Sequence, residues 1–178
     1  MQSIVLILPG LGNSGPLHWQ TLWQNAHSDF IRVEQANWET PEKEEWIDTI
    51  DQELIKHPLS QVVLVGHSLA CTTIAYWAKK YNRKIKGALM VAPSDTETEL
   101  YKTFQTTGFT PVPLEPLPFK SIVVASEDDI YVSLERATLF AKAWGSEFIN
   151  IGKAGHINSA SGLGEWKQGL KLLNSIKI

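Results

Sequence analysis

The chain alternates short, almost unbroken apolar runs with longer stretches in which apolar residues recur every three or four positions. The short runs are residues 4–8, 32–36, 61–65, 87–91, 121–125 and 147–151, several of them apolar at consecutive positions. A strand with apolar residues on both faces is buried on both faces, as in a parallel sheet covered by helices. Between the runs, residues 16–26, 41–55, 69–80, 95–104, 133–144 and 164–175 carry a helical spacing, the first opening with Pro16 near its first turn. Strand and helix alternating in this way produce right-handed crossovers. The pattern predicts a single-domain three-layer α/β/α sandwich over residues 1–178, with about six mostly parallel strands and 4–8 beside 61–65 near the centre. Residues 9–13, 66–69, 93–95, 126–129 and 155–158 then converge at the carboxyl edge of the sheet, where such folds place their sites. Residues 106–119 contain Pro111, Pro113, Pro116 and Pro118, which exclude a regular helix or central strand.

Composition narrows the function classes. The 178 residues, 43% hydrophobic and 20% charged, suffice for one sizeable core. A net charge of -3 with scattered Lys and Arg offers no basic footprint for nucleic acid and no polybasic membrane patch. One cysteine forms no internal disulfide, and the first residues have neither the basic region nor the apolar length of a signal peptide, so a cytoplasmic location is expected. No apolar run approaches the ~20 residues of a membrane span. No group of side chains has metal-ligand spacing, and neither metal nor cofactor is expected. The seven tryptophans are expected mostly to fill core and pocket walls.

The segment from Gln61 to Cys71 carries the sharpest chemistry. An apolar strand stops at Gly66 and a helical pattern resumes after Ser68. A serine held on a tight strand-to-helix turn projects its hydroxyl above the sheet, with the next backbone N–H aimed at the same point. Small residues are needed on either side because strand and helix cross closely; Gly66 meets this, and Ala70 stands where the G-x-S-x-G pattern has its second glycine. The alternative is an ordinary connection with Ser68 as helix N-cap.

What favours a nucleophile is the order of residues after it. Ser126-Glu-Asp-Asp-Ile-Tyr-Val follows the fifth strand and Gly155-His-Ile-Asn the sixth, giving serine, carboxylate, histidine in the α/β-hydrolase order. A serine hydroxyl becomes a useful nucleophile only when an imidazole takes its proton, and the imidazole needs a carboxylate to fix its tautomer. Ser68, Asp129 and His156 are the candidate catalytic residues. Asp129 is chosen over Asp128 because it opens an Asp-x-x-Val turn; Asp95, just after the fourth strand, is the reserve, although an acid there also suits a helix start. His67, His18 and Trp19 are candidate pocket residues, each with an equally plausible packing role. Cys71 reads as a small buried core residue. The proline-rich 106–119 segment is either a plain connector or a loop that shapes the substrate entrance, and the second reading is taken.

Residues Gly10 to Gly15 match G-x-G-x-x-G after a strand, with Glu34 near the spacing of a ribose-binding acid, so a dinucleotide site competes. That reading leaves Gly66-His67-Ser68, Asp129 and His156 unexplained. In the hydrolase reading the same loop supplies a backbone N–H near Leu11, which completes an oxyanion hole with the N–H of Leu69.

Taken together, Pro9-Gly10 with His18-Trp19, Gly66-His67-Ser68, Ser126 to Asp129, Ala143-Trp-Gly-Ser and Ala154-Gly-His-Ile-Asn-Ser-Ala-Ser-Gly-Leu-Gly164 resemble the small serine hydrolases typified by retinoblastoma-binding protein nine and bacterial YdeN. The resemblance runs nearly end to end. It implies a minimal α/β-hydrolase fold lacking the first two strands of larger members, a triad of Ser68, Asp129 and His156, and a small acyl-bearing substrate without a cofactor. The Leu-x-Cys-x-Glu motif linked to retinoblastoma-protein binding is absent, since Leu69-Ala-Cys71-Thr-Thr73 lacks the glutamate. Two functional classes follow: a hydrolase acting on a carboxylic ester, thioester or amide, or an interaction module on the same fold with little turnover.

Overall fold

A computed structural model describes residues 3–178. In chain order the elements are β1 (Ile4–Leu8), α1 (Trp19–Ala26), β2 (Phe30–Arg32), α2 (Lys43–Leu54), β3 (Val62–His67), α3 (Leu69–Tyr81), β4 (Gly87–Val91), β5 (Ser121–Ala125), α4 (Leu134–Trp144), β6 (Glu147–Asn150) and α5 (Lys167–Lys177). The strands form one sheet in the order β2-β1-β3-β4-β5-β6, and every neighbouring pair is parallel. β1 and β3 are neighbours, with Ile4 opposite Val62 and Leu8 opposite Gly66.

The strand pleat sorts the apolar runs into two cores. Leu6, Leu8, Val62, Leu64, Ala88, Met90, Val123 and Ala125 face α2, α3 and α4, whereas Val5, Ile7, Val63, Val65, Leu89, Val91, Ile122 and Val124 face α1 and α5. Both faces being covered is why the runs are apolar at every position rather than at alternate ones. Helix ends follow local chemistry. The Ser133 hydroxyl accepts from the Arg136 N–H and caps α4, whose other end closes on Gly145 at φ 70°. α3 closes on Asn82 in the left-handed region, with Lys79 and Lys80 in its last turn, where a cation suits the helix dipole.

Three of the differences from the periodicity have a local cause. β2 lies at Phe30–Arg32 rather than 32–36: it is an edge strand paired with β1, which sets Ile7 opposite Arg32 and ends one residue later. Residues 95–104 form no α-helix, only a single turn at Tyr101–Thr103. Here the Asp95 carboxylate accepts from the Glu97 N–H, the Thr98 hydroxyl donates to the Asp95 carbonyl and also accepts from the Tyr101 N–H. Such side chains offer the backbone a competitor to helix bonds. α1 starts at Trp19, not Pro16, because His18 is its N-cap and accepts from the Gln20 N–H.

The proline-rich stretch is irregular, as its composition predicts, but it stands behind the cavity wall rather than in it, with Phe109 packed in one cluster with Leu69, Tyr101 and Phe104. Thr107 exchanges backbone bonds with Pro41 and Lys43, Phe109 is buried against Trp46 and Tyr76, and the Pro113 carbonyl accepts from the Trp144 indole. It braces α2, α3 and α4 and supplies no residue to the cavity wall, which corrects the expected entrance role. No helix among the described residues is long and apolar enough to cross a membrane.

Candidate active site

Ser68 occupies the turn between β3 and α3 with φ 59° and ψ −124°, a backbone conformation unfavourable for any residue but glycine. The neighbours hold it there. Its N–H donates to the Val91 carbonyl at 2.9 Å, and its own carbonyl accepts from Cys71. A Cβ on Gly66 would come within 2.7 Å of Ile74 Cδ1, the movable end of that side chain, and 3.4 Å of the Ala70 and Cys71 backbone, so strand and helix cross closely at that position. Ala70, fully buried, is small enough on the helix side. As the first residue of α3, Leu69 has no carbonyl one turn earlier in the helix to which its N–H could donate.

Two loops from the far side of the sheet meet this serine. His156 Nε2 lies 2.8 Å from Ser68 Oγ, and His156 Nδ1 lies 2.8 and 3.0 Å from the two Asp129 oxygens. The Tyr131 N–H holds Asp129 Oδ1 at 2.9 Å. Asp128, one residue earlier, points elsewhere: it accepts from the Ser126 hydroxyl and the Gly155 N–H, which hold its carboxyl below the usual range. Together with the Ala154 N–H donating to Ser126, these bonds clip the acid turn to the histidine loop. Asp95 is engaged by the Arg136 guanidinium at 2.7 and 3.0 Å and does not meet His156.

The candidate pocket residues separate. His67 lines the cavity beside Ser68, and its Nε2 lies 2.9 Å from the His156 carbonyl. A carbonyl only accepts, so Nε2 carries the proton and His67 ties the serine turn to the histidine loop. Burial, reinforced by the other two histidines, holds its pKa well below 6.5. His18 also lines the cavity. Burial first, then the Arg32 charge, brings it to about 4. With Nδ1 accepting from Gln20, its proton sits on Nε2, which has no hydrogen-bond partner among the described residues. Trp19 is not in the wall. Its ring is buried against Trp23 and Trp166, and its indole donates to the Ile157 carbonyl at 2.8 Å. It braces the histidine loop from behind. Cys71 is buried and its thiol pKa is raised by desolvation, consistent with a core role.

The glycine loop packs on the serine turn. A Cβ on Gly10 would meet Ser68 Cβ at 2.8 Å and the His67 carbonyl at 2.9 Å. The Gly12 N–H donates to Trp38, that of Asn13 to Gly10, and that of Ser14 to the Asn13 side chain. Arg32 fastens the loop by donating to Asn13 Oδ1 and the Ser14 carbonyl, and Gln20 does so by accepting from the Ser14 hydroxyl while donating to the Leu8 and Val65 carbonyls. Neither brace was visible in the sequence, where both read as ordinary polar residues.

The cavity, about 430 Å³, has Ser68 and His156 in its wall beside Leu11, Leu69, Tyr101, Phe104 and Tyr131. Ser94 belongs to it as well, with its hydroxyl 2.9 Å from Ser68 Oγ. Its place directly after β4, within the 93–95 edge segment, was the available signal. No group of side chains among the described residues is arranged to hold a metal ion.

Comparison with known proteins agrees with this architecture. A family described as serine hydrolase matches residues 5–175. No curated protein sequence matches the chain. Among solved structures, a YdeN-like hydrolase from Pectobacterium atrosepticum superposes with a TM-score of 0.85 at 30% identity, over 99% of this chain and 91% of that one. The ydeN gene product of B. subtilis gives 0.78 at 20% identity over 98% of both chains. Est1E from Butyrivibrio proteoclasticus, solved with ferulic acid, gives 0.70 at 12% identity over 99% and 91%, a likeness of fold.

Proposed function

Because the chain belongs to the serine hydrolase family, we infer that it cleaves a carboxylic ester through an acyl-enzyme on Ser68, as a carboxylesterase-type enzyme. The observation that carries this is the continuous line from Asp129 through His156 to Ser68 at 2.8 Å per step, opening into a cavity. His156 Nε2 takes the Ser68 proton as Oγ bonds to the substrate carbonyl carbon. The tetrahedral intermediate collapses, and the same proton passes from His156 to the departing alkoxide. Water then repeats the sequence on the acyl-enzyme, with His156 as base and Ser68 Oγ as leaving group. Asp129 remains an acceptor at Nδ1, which keeps Nε2 free to receive the proton.

The developing oxyanion falls to the N–H groups of Leu69 and Leu11. For Leu69 the support is its position as first residue of α3. For Leu11 it is that the neighbouring N–H groups are already engaged, Gly12 with the Trp38 carbonyl and Asn13 and Ser14 within the loop, and that Leu11 lines the cavity. The aromatic wall of Tyr101, Phe104 and Tyr131 suits an apolar acyl or alcohol portion.

The test is a fluorophosphonate probe together with p-nitrophenyl esters of increasing acyl length. Wild-type protein labels covalently and turns over, and Ser68→Ala does neither. Wild-type protein that fails in both assays overturns the assignment and leaves an interaction module on the same fold.

A further inference from the structure

Ser94 has no role in the chemistry described so far, yet its hydroxyl touches the reacting atom. Ser94 is 3% exposed and its Oγ lies 2.9 Å from Ser68 Oγ. Hydrogen counting settles the direction of that bond. Asp129 presents two carboxylate oxygens to His156 Nδ1, so a neutral imidazole carries its proton there and Nε2 is an acceptor. Ser68 has one hydroxyl proton and gives it to Nε2 at 2.8 Å. The proton between the two serines must therefore belong to Ser94.

The surroundings fix Ser94 in this attitude. Its carbonyl accepts from the Thr72 hydroxyl, and its N–H reaches toward the Ser68 carbonyl at 3.4 Å. The following residue, Asp95, is gripped twice by Arg136 and donates its N–H to the Tyr131 carbonyl at 3.0 Å. The carboxylate considered as a reserve triad acid is thus part of what immobilises Ser94.

Resting on the hydrolase reading, we propose that Ser94 is a further catalytic residue, a fixed hydroxyl donor to Ser68 Oγ that assists chiefly the breakdown of the acyl-enzyme. In the acyl-enzyme, Oγ is an ester oxygen and a weak acceptor. As the tetrahedral intermediate collapses, the carbon–Oγ bond breaks and negative charge builds on Oγ before His156 delivers its proton. The Ser94 bond strengthens along that path, while Ser94 keeps its own proton throughout. Only an interaction that grows between ground state and transition state accelerates a step. In acylation, Oγ starts as a hydroxyl that already accepts well from Ser94, so less is gained.

The experiment compares wild type with Ser94→Ala and Ser94→Cys, a near-isosteric weaker donor, in two assays. Fluorophosphonate labelling reads attack by Ser68 alone; pre-steady-state hydrolysis of a p-nitrophenyl ester separates the nitrophenolate burst from the slow deacylation. A hydrogen bond to a developing charge is worth about tenfold or more in rate. Ser94→Ala is expected to lower the deacylation rate by about tenfold, with labelling within about threefold of wild type and Ser94→Cys between the two. A thermal unfolding midpoint near that of wild type shows that the fold persists. Unchanged deacylation in Ser94→Ala, or labelling slowed as much as deacylation in both folded variants, overturns the proposal. If wild type neither labels nor turns over, the hydrolase reading falls first and the role of Ser94 with it; if wild type does both, only the Ser94 variants decide.

Discussion

The proposed reacting groups and the wall that faces them are held in different ways. Ser68, Asp129 and His156 are fixed by directional bonds from every side: Val91 and Cys71 on the serine, Tyr131 on the aspartate, His67 and Trp19 on the histidine loop, and the Ser126–Asp128 clip between loops. In the opposite wall the backbone is tied through Thr98 and the turn at Tyr101–Thr103, but the side chains face one another as rings, with Phe104 between Tyr101 at 5.7 Å and Tyr131 at 6.1 Å. Leu100 beside it is 40% exposed. Hydrogen bonds specify angles and distances to tenths of an ångström, whereas apolar contacts specify little more than volume. On the proposed reading, the chemistry is insensitive to changes of the wall, and the wall is where substrate preference is adjustable.

The largest effect expected from breaking the rigid half is at the aspartate. Asp129→Asn keeps the shape but presents a donor to Nδ1 and favours the wrong tautomer, so turnover falls by about 10⁴ with little change in unfolding midpoint. Activity near wild type would place the acid elsewhere. Next comes Gly10→Ala, which drives a methyl into Ser68 and the His67 carbonyl. Displacing the loop proposed to carry the second oxyanion donor is expected to cost on the order of 10²–10³ in kcat, read by steady-state kinetics alongside a melting curve. Retained activity would mean that the loop moves without consequence.

A smaller effect concerns acid stability. His18 sits at about 4, below its ordinary 6.5, so the folded protein leaves it neutral while the unfolded chain takes up a proton. The stability this brings is complete above pH 6.5 and is lost as pH falls toward 4. Between pH 6.5 and 5, one such group removes about 2 kcal/mol from the unfolding free energy. His18→Asn retains a capping acceptor and does not titrate, so its denaturant-derived stability declines less over that interval by about this amount. Equal acid dependence in the two proteins would show that His18 takes up its proton in the folded state. The smallest effect is on the soft wall: Phe104→Ala is expected to shift the preferred acyl length by one or more steps in the ester panel, with fluorophosphonate labelling within about threefold. Loss of labelling would show that wall and reacting groups are coupled after all.

The sequence by itself determined the layer architecture, because apolar runs alternating with three-to-four residue spacing make parallel strands covered by helices. It also determined the serine turn, since Gly66, Ser68 and Ala70 are neighbours in the chain and their constraint is local. Serine, acid and histidine were legible as an order of residues after strands, and the glycine loop as a close approach, because those features depend on where each strand ends. Tertiary structure alone decided what touches what. Asp95 and Asp129 both follow strands, and only folding gives one to Arg136 and the other to His156, 27 residues further on. Trp19 and the proline-rich segment face the core rather than the cavity because burying a large ring or a braced loop depends on partners more than a hundred residues away in one case and on three helices in the other. Residues 95–104 lost their helix to side-chain bonds with their own backbone, which hydrophobic spacing does not register. Gln20 and Arg32 are common polar residues with no local signature, and Ser94 has only its place after β4. Their positions against the serine and its loop come from hydrogen bonds between segments that only the closed sheet brings together, a distance-dependent chemistry that linear spacing does not encode.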